Sequence, residues 1–331
     1  MEVLIIKLGA KGDVVRTLSV LPAIKERYPR ARITWITKKN ISDLLVKNPF
    51  INEILTIPCE INKKFDILYN FDIEKEATYL AQSIRAEKKY GFNSEGQHIA
   101  SFNLGAEYYL NTLYDDVLKK TNKKTYQEMM FELADLPFKK QQAKIYLDEN
   151  DLRYGNEFVK KNNLLGKKII GLHMGSSPRW PSKAWSRDKI KEFIRKAKSA
   201  NYEIILFGGP DEVKSHDSLI NELKMEKISI YHNSPENSNL EFASLLNSCD
   251  IVVCSDSFAL HLAIALNKPT VALFFCTSPD EVEGYGLLKK VVSPMIYDFF
   301  PERQDEFSEE LVNSISPEQV FSAISDLNEK D

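Results

Sequence analysis

Residues 250–277 constrain the fold more than any other part of this 331-residue chain. They begin with an uninterrupted apolar run, residues 251–254, which is typical of a strand buried on both faces of a parallel sheet. A polar turn and a short apolar helical pattern follow, and a second apolar run, residues 270–275, predicts another buried strand. This strand–helix–strand unit predicts an α/β fold, in which ligands bind where strands end and helices begin.

The polar turn of this unit consists of Ser255, Asp256 and Ser257, three residue types that favour the N-cap of a helix. Backbone amides at the start of a helix attract anions, and phosphate is a natural ligand for them. A well-capped helix without a ligand explains the same residues equally well. The pattern alone therefore leaves both interpretations open.

The start of the chain has a similar organisation. Residues 3–7 are predicted as a strand that is apolar up to Lys7, residues 8–13 as a turn, and residues 33–37 as a second strand after an amphipathic helical pattern. Gly9 and Gly12 let the turn bend tightly and leave room above the end of the strand. This order predicts a β-α-β unit that opens a Rossmann-like sheet.

Asp13 lies where this first strand gives way to the helix. A role as helix N-cap would explain the residue, and a carboxylate at the ligand-binding edge could instead accept a proton. A dinucleotide fingerprint needs three glycines as G-x-G-x-x-G and an acid at the end of the second strand. Here only G-x-x-G is present and the second strand ends at Lys38 and Lys39, so a nicotinamide cofactor is disfavoured.

Strand and helix patterns continue along the chain and indicate two domains. Predicted strands cover residues 54–57, 65–71, 168–173 and 204–207, and predicted helices cover residues 73–84, 126–136, 148–162, 240–248 and 317–327. A polar, lysine-rich stretch lies at residues 137–144. We place an N-terminal Rossmann-like domain at residues 1–150 and a C-terminal one at residues 151–331, with the last helix as a candidate to return to the N-terminal domain.

Loops after two predicted strands of the second domain carry further candidate residues. Ser176 and Ser177 form a small polar turn suited to oxygen-rich ligands, and Lys183 could neutralise a diphosphate. Asp211 and Glu212 follow two glycines, where a carboxylate can accept a hydrogen bond from a ribose or sugar hydroxyl. A surface lysine and ordinary helix-capping acids are the simpler explanation of the same loops.

Composition narrows the possible classes of function. The net charge of −3 gives no reason to expect nucleic-acid binding. An excess of basic side chains in residues 1–40 hints at an anionic partner, although solvated helix faces look similar. The four cysteines show no C-x-x-C spacing, which favours free thiols in a reducing cytosol. The sequence has no visible signal peptide, no apolar run of membrane length and no metal-ligand spacing.

Five motifs, taken together and in order, resemble the bacterial lipopolysaccharide heptosyltransferases, the ADP-heptose-using glycosyltransferases of family 9 with the GT-B fold. The motifs are I-I-K-L-G-A-K-G-D-V-V, G-S-S-P-R-W-P-S-K-A-W, F-G-G-P-D-E, S-D-S-F-A-L-H-L-A-I-A-L and L-F-F-C-T-S-P. The resemblance spans nearly the whole chain. It implies two Rossmann-like, doubly wound parallel-sheet domains facing a cleft, with the acceptor mainly on the first and the nucleotide-sugar mainly on the second.

The resemblance also implies a reaction and its setting. The family inverts the anomeric carbon without a metal, so the implied co-substrate is a nucleotide-sugar such as ADP-heptose. The implied acceptor is an anionic, lipid-linked glycan, and no nucleic acid is expected as a partner. A cytoplasmic enzyme follows, and peripheral contact with the cytoplasmic face of the inner membrane is compatible with it.

Individual residues take their expected roles from the same resemblance. Asp13 matches the catalytic base of the family, and Lys183 matches the lysine that meets the leaving diphosphate. Asp256 matches the acid of the D-[ST]-G motif that faces the nucleotide-sugar. The expected binding set is completed by Gly9, Gly12, Ser176, Ser177, Asp211, Glu212, Ser257 and His261.

Two family motifs are altered in this chain. Phe258 stands where the family usually has a glycine, and Phe275-Cys276 replaces the usual Gly-Pro of the following motif. Both lost glycines belong to positions where the backbone approaches phosphate, and a bulky residue there changes the local path of the chain. A transferase with a different nucleotide-sugar donor, a catalytically silent nucleotide-sugar-binding protein and a nicotinamide oxidoreductase remain the alternatives.

Overall fold

The computed structural model describes residues 1–175 and 179–328. The chain divides into two compact units. The first consists of Met1–Tyr146 together with the short segment Asp280–Glu283, and the second consists of Leu147–Pro279 and the chain from Gly284 onward. None of the helices in the described ranges is long and apolar enough to cross a membrane.

The first unit is built on a six-stranded sheet in the order β3-β2-β1-β4-β5-β6. Its strands are β1 (Glu2–Ile6), β2 (Arg32–Thr37), β3 (Glu53–Thr56), β4 (Phe65–Asn70), β5 (Ala86–Glu95) and β6 (His98–Ser101). Its helices are α1 (Lys11–Thr17), α2 (Val20–Arg27), α3 (Lys75–Ser83), α4 (Glu107–Thr112), α5 (Asp116–Thr121) and α6 (Tyr126–Leu133). The strand β1 is central and buried from Val3 to Ile6, which explains its uninterrupted apolar run.

The edge of this first sheet differs from a fully parallel arrangement. The strand β6 pairs antiparallel with β5 through a tight hairpin, in which Glu95 lies opposite His98. Gly96 in the turn has a φ of +63°, a conformation that favours glycine. The sequence patterns do not predict this hairpin, because an edge strand is only partly buried and its residues alternate poorly between polar and apolar types.

The second unit has a six-stranded, all-parallel sheet in the order β12-β11-β10-β7-β8-β9. Its strands are β7 (Lys168–His173), β8 (Tyr202–Phe207), β9 (Tyr231–His232), β10 (Ile251–Ser255), β11 (Thr270–Phe274) and β12 (Leu288–Val292). Its helices are α7 (Glu149–Lys161), α8 (Arg187–Ser199), α9 (Val213–Met225), α10 (Asn239–Asn247), α11 (Phe258–Ala265), α12 (Ile296–Phe299), α13 (Glu309–Asn313) and α14 (Pro317–Asn328).

The two sheets have the same strand order. In both, the first strand of the unit lies beside the fourth, and the order of strands reverses between them: β1 beside β4, and β7 beside β10. The carboxyl ends of such a strand pair form the crevice in which ligands of doubly wound sheets bind. The α/β class of two Rossmann-like sheets is therefore confirmed.

The last helix belongs to the second unit. Val320, Ile324 and Leu327 of α14 are buried in the same apolar cluster as Phe193 and Ala197 of α8. The return to the first unit is made instead by the loop Asp280–Glu283. The apolar face of the helix explains this arrangement, because that face is covered by the core of its own unit.

Candidate functional site

A buried ion pair occupies the switch point of the first sheet. Lys7 follows β1 and Asp72 follows β4, and the Lys7 ammonium lies 3.4 Å from Asp72 Oδ2. Burial alone would lower the pKa of Lys7, but the Tyr126 hydroxyl, Asp72 and Asp13 outweigh burial and raise it. The lysine is therefore charged although its side chain is only 5% exposed.

Backbone amides hold Asp72 in place. Its Oδ2 accepts hydrogen bonds from the amides of Leu8 (2.8 Å) and Gly9 (2.5 Å), and its Oδ1 accepts one from the amide of Glu74 (2.8 Å). Burial alone would raise the pKa of Asp72, but the Lys7 charge and these amides lower it. Asp72 thus fastens the turn after β1 to the end of β4.

Asp13 lies beside this pair, within α1. Its carboxylate accepts from Arg16 at 3.1 Å (Nε) and 2.8 Å (Nη2), and its Oδ2 lies 4.0 Å from the Lys7 ammonium. The side chain of Asp13 is 30% exposed, more than either cation. Ala10 is the N-cap of α1, so Asp13 does not have the capping role that would explain it without a function.

The two glycines of the first motif differ in their surroundings. A Cβ on Gly9 would lie 3.0 Å from Asp72 Oδ2 and 3.2 Å from the Lys7 ammonium, so the ion pair needs a glycine there. Gly12 is buried in the first turn of α1. The predicted residues Gly9, Gly12 and Asp13 therefore lie together at one end of β1.

The second unit has a charged cluster at the corresponding end of its own sheet. Lys183, from the 3-10 turn Pro181–Lys183, lies 3.0 Å from Asp256 Oδ2, and His261 Nε2 lies 3.8 Å from Asp256 Oδ1. The Lys183 ammonium also lies 4.8 Å from the centre of the Trp180 ring, within range of a cation–π interaction. The structure brings together three residues that the sequence motifs place up to 78 positions apart.

Asp256 is ionised in this cluster. Burial alone would raise the pKa of Asp256, but the charges of Lys183 and His261 lower it well below its usual range. Asp256 lies just before α11 and is not part of the helix. Its side chain is therefore not bound to the helical spacing, and His261 reaches it from the second turn of α11.

Ser257 and His173 meet at the switch point of the second sheet. Ser257 is the N-cap residue of α11, and its Oγ lies 3.4 Å from His173 Nδ1 at the end of β7. Burial lowers the pKa of His173 to about 4, so this imidazole is neutral at physiological pH. The ring of Phe242 packs edge-on against His173.

The two altered family motifs have different environments. The ring of Phe258 stacks on Phe242, with 5.8 Å between ring centres and an angle of 23° between their planes. Phe275 and Cys276 are buried in the apolar core of the second unit. Phe258 therefore belongs to an aromatic cluster, and Phe275 and Cys276 belong to the core.

Glu212 and Asp211 occupy different positions after β8. Glu212 accepts a hydrogen bond from the amide of Gly209 (2.8 Å), and a Cβ on Gly175 would lie 2.6 Å from Glu212 Oε1. Asp211 is exposed. Glu212, rather than Asp211, therefore lies against the turn that follows β7.

The remaining predicted pair, Ser176 and Ser177, lies outside the described residues. Among the residues that are described, no group of three or more His, Cys, Asp or Glu side chains is arranged to hold a metal ion.

Sequence reasoning did not single out the groups that surround Asp13. Arg16 is a neighbour of Asp13 in α1, whereas Asp72 and Tyr126 reach this site only through the tertiary fold, because β4 and α6 lie far along the chain from β1. One signal was available in the sequence, since a lysine that directly ends a buried apolar strand needs a buried counter-charge.

Two Rossmann-like units, each with polar and charged side chains at the carboxyl ends of its switch-point strands, define the GT-B fold. The chain belongs to glycosyltransferase family 9 (heptosyltransferase), whose model matches residues 60–312, and it is a glycosyltransferase.

Individual relatives agree with this assignment. Lipopolysaccharide heptosyltransferase 2 of Escherichia coli K12 is 23% identical in an alignment 358 positions long, which covers 99% of this chain and 98% of that protein. The crystal structure of a family 9 glycosyl transferase from Veillonella parvula has a TM-score of 0.75 at 18% identity, covering 100% of this chain and 97% of that one. The structure of E. coli ADP-heptose lps heptosyltransferase II has a TM-score of 0.73 at 19% identity and covers both chains completely.

Proposed function

We propose that this glycosyltransferase moves a heptose from ADP-heptose to the core of lipopolysaccharide, with inversion at the anomeric carbon and without a metal. The observation that carries the proposal is Asp13, a partly exposed carboxylate held beside two cations at the switch point of the first sheet. We infer the identities of the donor and the acceptor from the family and from relatives whose names include ADP-heptose and lipopolysaccharide.

Asp13 acts as the general base in this proposal. As the acceptor hydroxyl attacks the anomeric carbon, its O–H bond breaks and the proton passes to the Asp13 carboxylate. A new C–O bond forms on one face of the sugar while the bond to the diphosphate breaks on the other. Arg16 and Lys7 place two positive charges beside this carboxylate, whose ionised form is the one that accepts a proton.

The second unit binds the donor in this proposal. Lys183 supplies the positive charge that neutralises the leaving diphosphate, so the reaction needs no metal ion. Ser257 offers the start of α11 to the phosphates, and Ser176 and Ser177 contribute hydroxyls. Glu212 accepts from a ribose hydroxyl, and Asp256 orients Lys183 together with His261. Gly9 and Gly12 leave space at the first switch point.

The experiment that tests the proposal combines ADP-heptose, a truncated lipopolysaccharide acceptor and the purified protein. We expect a product heavier by one heptose in mass spectrometry, with inverted anomeric configuration in NMR, and unchanged turnover in the presence of a chelator. Vesicles of anionic lipid in a flotation assay test the peripheral membrane contact. A protein that transfers no heptose under these conditions contradicts the proposal.

Variants at Asp13 test the role of the base. Asp13→Asn keeps an oxygen that can accept from Arg16 but cannot accept a proton at neutral pH, so we expect turnover to fall at least about 100-fold. Calorimetry should give an ADP affinity close to that of the unmodified protein. Asp66→Asn, at the amino end of β4, is the matched control and should keep normal turnover. Turnover in Asp13→Asn equal to that of the control would remove Asp13 from the mechanism.

Phe258 favours one alternative, a family 9 transferase that uses another nucleotide-sugar. Its ring replaces a glycine beside Ser257 and stacks on Phe242. Parallel reactions with UDP- and GDP-sugars distinguish this alternative, because transfer from one of them and not from ADP-heptose would change the donor but keep the reaction class.

A further inference from the structure

Arg16 contacts Asp13 with two nitrogens at once. Nε and Nη2 lie 3.1 Å and 2.8 Å from the same carboxylate oxygen, Oδ1. Two nitrogens of a planar guanidinium on one oxygen fix the position of that oxygen more closely than a single ammonium does. Arg16 therefore limits the orientations available to the Asp13 carboxylate.

Arg16 is itself fixed by an aromatic ring. The guanidinium carbon lies 3.6 Å from the centre of the Tyr126 ring, and the side chain of Arg16 is only 14% exposed. Burial alone would lower the pKa of Arg16, but Asp13, Tyr126, Tyr109 and Glu281 raise it. The buried guanidinium is thus charged and stacked in one place.

Thr17 joins the ring to the backbone of α1. Its hydroxyl donates to the carbonyl of Asp13 at 2.6 Å and lies 2.8 Å from the Tyr126 hydroxyl. Since the Thr17 proton is directed to the carbonyl, the Tyr126 hydroxyl donates to Thr17. Tyr126 is therefore linked to Asp13 in two ways: its ring stacks on Arg16, and its hydroxyl bonds to Thr17.

The start of α6 is anchored as well. Thr125 and Glu128 form a capping box, and the amide of Tyr126 donates to the carbonyl of Glu281 at 2.9 Å. Lys123 pairs with Asp280 at 2.7 Å. The loop Asp280–Glu283, which is far along the chain, thus supports the residue on which Arg16 stacks.

We propose that Arg16, clamped by Tyr126, is a positioning residue that holds the Asp13 carboxylate in the orientation needed for proton transfer. The inference rests on the proposed role of Asp13 as base. A small misorientation of a catalytic group can cost up to about 100-fold in rate, so loss of the clamp acts on kcat. Donor affinity is unaffected, because the proposed donor-binding residues belong to the second unit.

Kinetics of Arg16→Lys, Tyr126→Leu and Tyr126→Phe test the clamp. Arg16→Lys keeps the charge but loses the planar two-nitrogen contact, and Tyr126→Leu removes the ring. We expect kcat to fall about 10- to 100-fold in both, with the donor KM and the ADP affinity within about twofold of normal. Tyr126→Phe retains the ring and should keep kcat within about threefold, since only the bond to Thr17 is lost.

Arg27 provides the matched control. It also pairs with an aspartate, Asp135, and lies 5.5 Å from the centre of a tyrosine ring, that of Tyr28, in the same unit. Arg27→Lys should leave kcat unchanged. All rates are measured well below each variant's unfolding temperature, so a purely structural role would lower that temperature without lowering kcat.

Each outcome has one meaning. Arg16→Lys and Tyr126→Leu with normal kcat, beside an inactive Asp13→Asn, overturn the clamp and leave the base role intact. A raised donor KM with normal kcat also overturns the clamp. An active Asp13→Asn, or a protein that transfers no sugar, overturns the proposed function and the clamp with it.

Discussion

Replacing Lys183 by methionine removes a charge and keeps most of the side-chain length. At 3.0 Å, two unit charges attract by about 5–6 kcal/mol in an effective dielectric constant of about 20. Desolvation offsets part of this attraction, and removing one partner of a buried pair costs about 3–5 kcal/mol. Lys183 and Asp256 keep 12% and 18% exposure, so we expect the low end, about 3 kcal/mol. That loss lowers the unfolding temperature of the second unit by about 6–12 °C.

A double variant separates the pair from its surroundings. In Lys183→Met with Asp256→Asn, no uncompensated carboxylate is left, so the double variant should be more stable than Lys183→Met alone. Differential scanning calorimetry measures both. Lys189→Met is the matched control: Lys189 lies 3.0 Å from Glu192, whose side chain is 53% exposed, and its loss should cost less than about 1 kcal/mol.

Calorimetric titration with ADP completes the experiment. A charge-assisted hydrogen bond contributes about 1.5–3 kcal/mol, so Lys183→Met should weaken ADP binding by about 10- to 100-fold. The control variant should bind ADP normally. An unchanged unfolding temperature in Lys183→Met, or strictly additive effects in the double variant, would refute the energetic argument. Unchanged ADP affinity would refute the proposed contact with diphosphate.

Two further predictions concern the switch points. Burial lowers the pKa of His173 to about 4. As the pH falls from about 6.5 towards 4, this histidine takes up a proton in the unfolded chain but not in the folded one, so the folded state loses stability. This loss of stability is at most about 3 kcal/mol. In thermal unfolding between pH 7 and 5, His173→Asn should lose less stability than the unmodified protein does. An identical pH dependence of the two proteins would contradict the prediction. A Cβ on Gly91, whose φ is +97°, would lie 1.9 Å from the Asn70 carbonyl oxygen. Gly91→Ala should therefore destabilise the protein by more than about 3 kcal/mol, which thermal unfolding measures. Turnover should fall as well, because Asn70 hydrogen-bonds the backbone of Asp72. Normal stability or normal turnover in this variant would refute the link.

Local patterns predicted most of the secondary structure. The apolar runs at residues 3–7 and 168–173 correspond to β1 and β7, because central strands of a parallel sheet are buried on both faces. The helix predicted over residues 148–162 corresponds to α7, whose N-cap Asp148 forms a capping box with Asp151. The strand–helix–strand unit at residues 250–277 also has the predicted form.

Other elements depend on contacts that no local pattern contains. The helix after β1 was predicted as one amphipathic segment, but it forms as two helices, α1 and α2, that end and begin around Leu18 and Ser19. The hairpin of β5 and β6 has a half-exposed edge strand, so its apolar pattern is weak. Short helices such as α12 and α13 have too few residues for a recognisable period.

The candidate sites were predictable only in part, for a physical reason. Asp13, Lys183 and Asp256 lie in recognisable turns at the ends of strands. Their partners were not predictable, because a buried charge is neutralised by whichever residue the fold brings near it. Arg16 differs from these partners because it lies only three positions from Asp13 in the sequence. Its orientation nevertheless depends on Tyr126, which is 110 positions away.

Both units stabilise a functional charge by pairing it, and this has a consequence for mechanism. The Lys183 ammonium lies 3.0 Å from Asp256 Oδ2, so this cation is already paired before any ligand arrives. An arriving diphosphate must then share Lys183 with Asp256. In the same way, the Asp13 carboxylate contacts Arg16 and lies 4.0 Å from Lys7, so an arriving proton must compete with two cations. In each pair, the partner orients the charge before a substrate binds and then competes with the substrate for that charge.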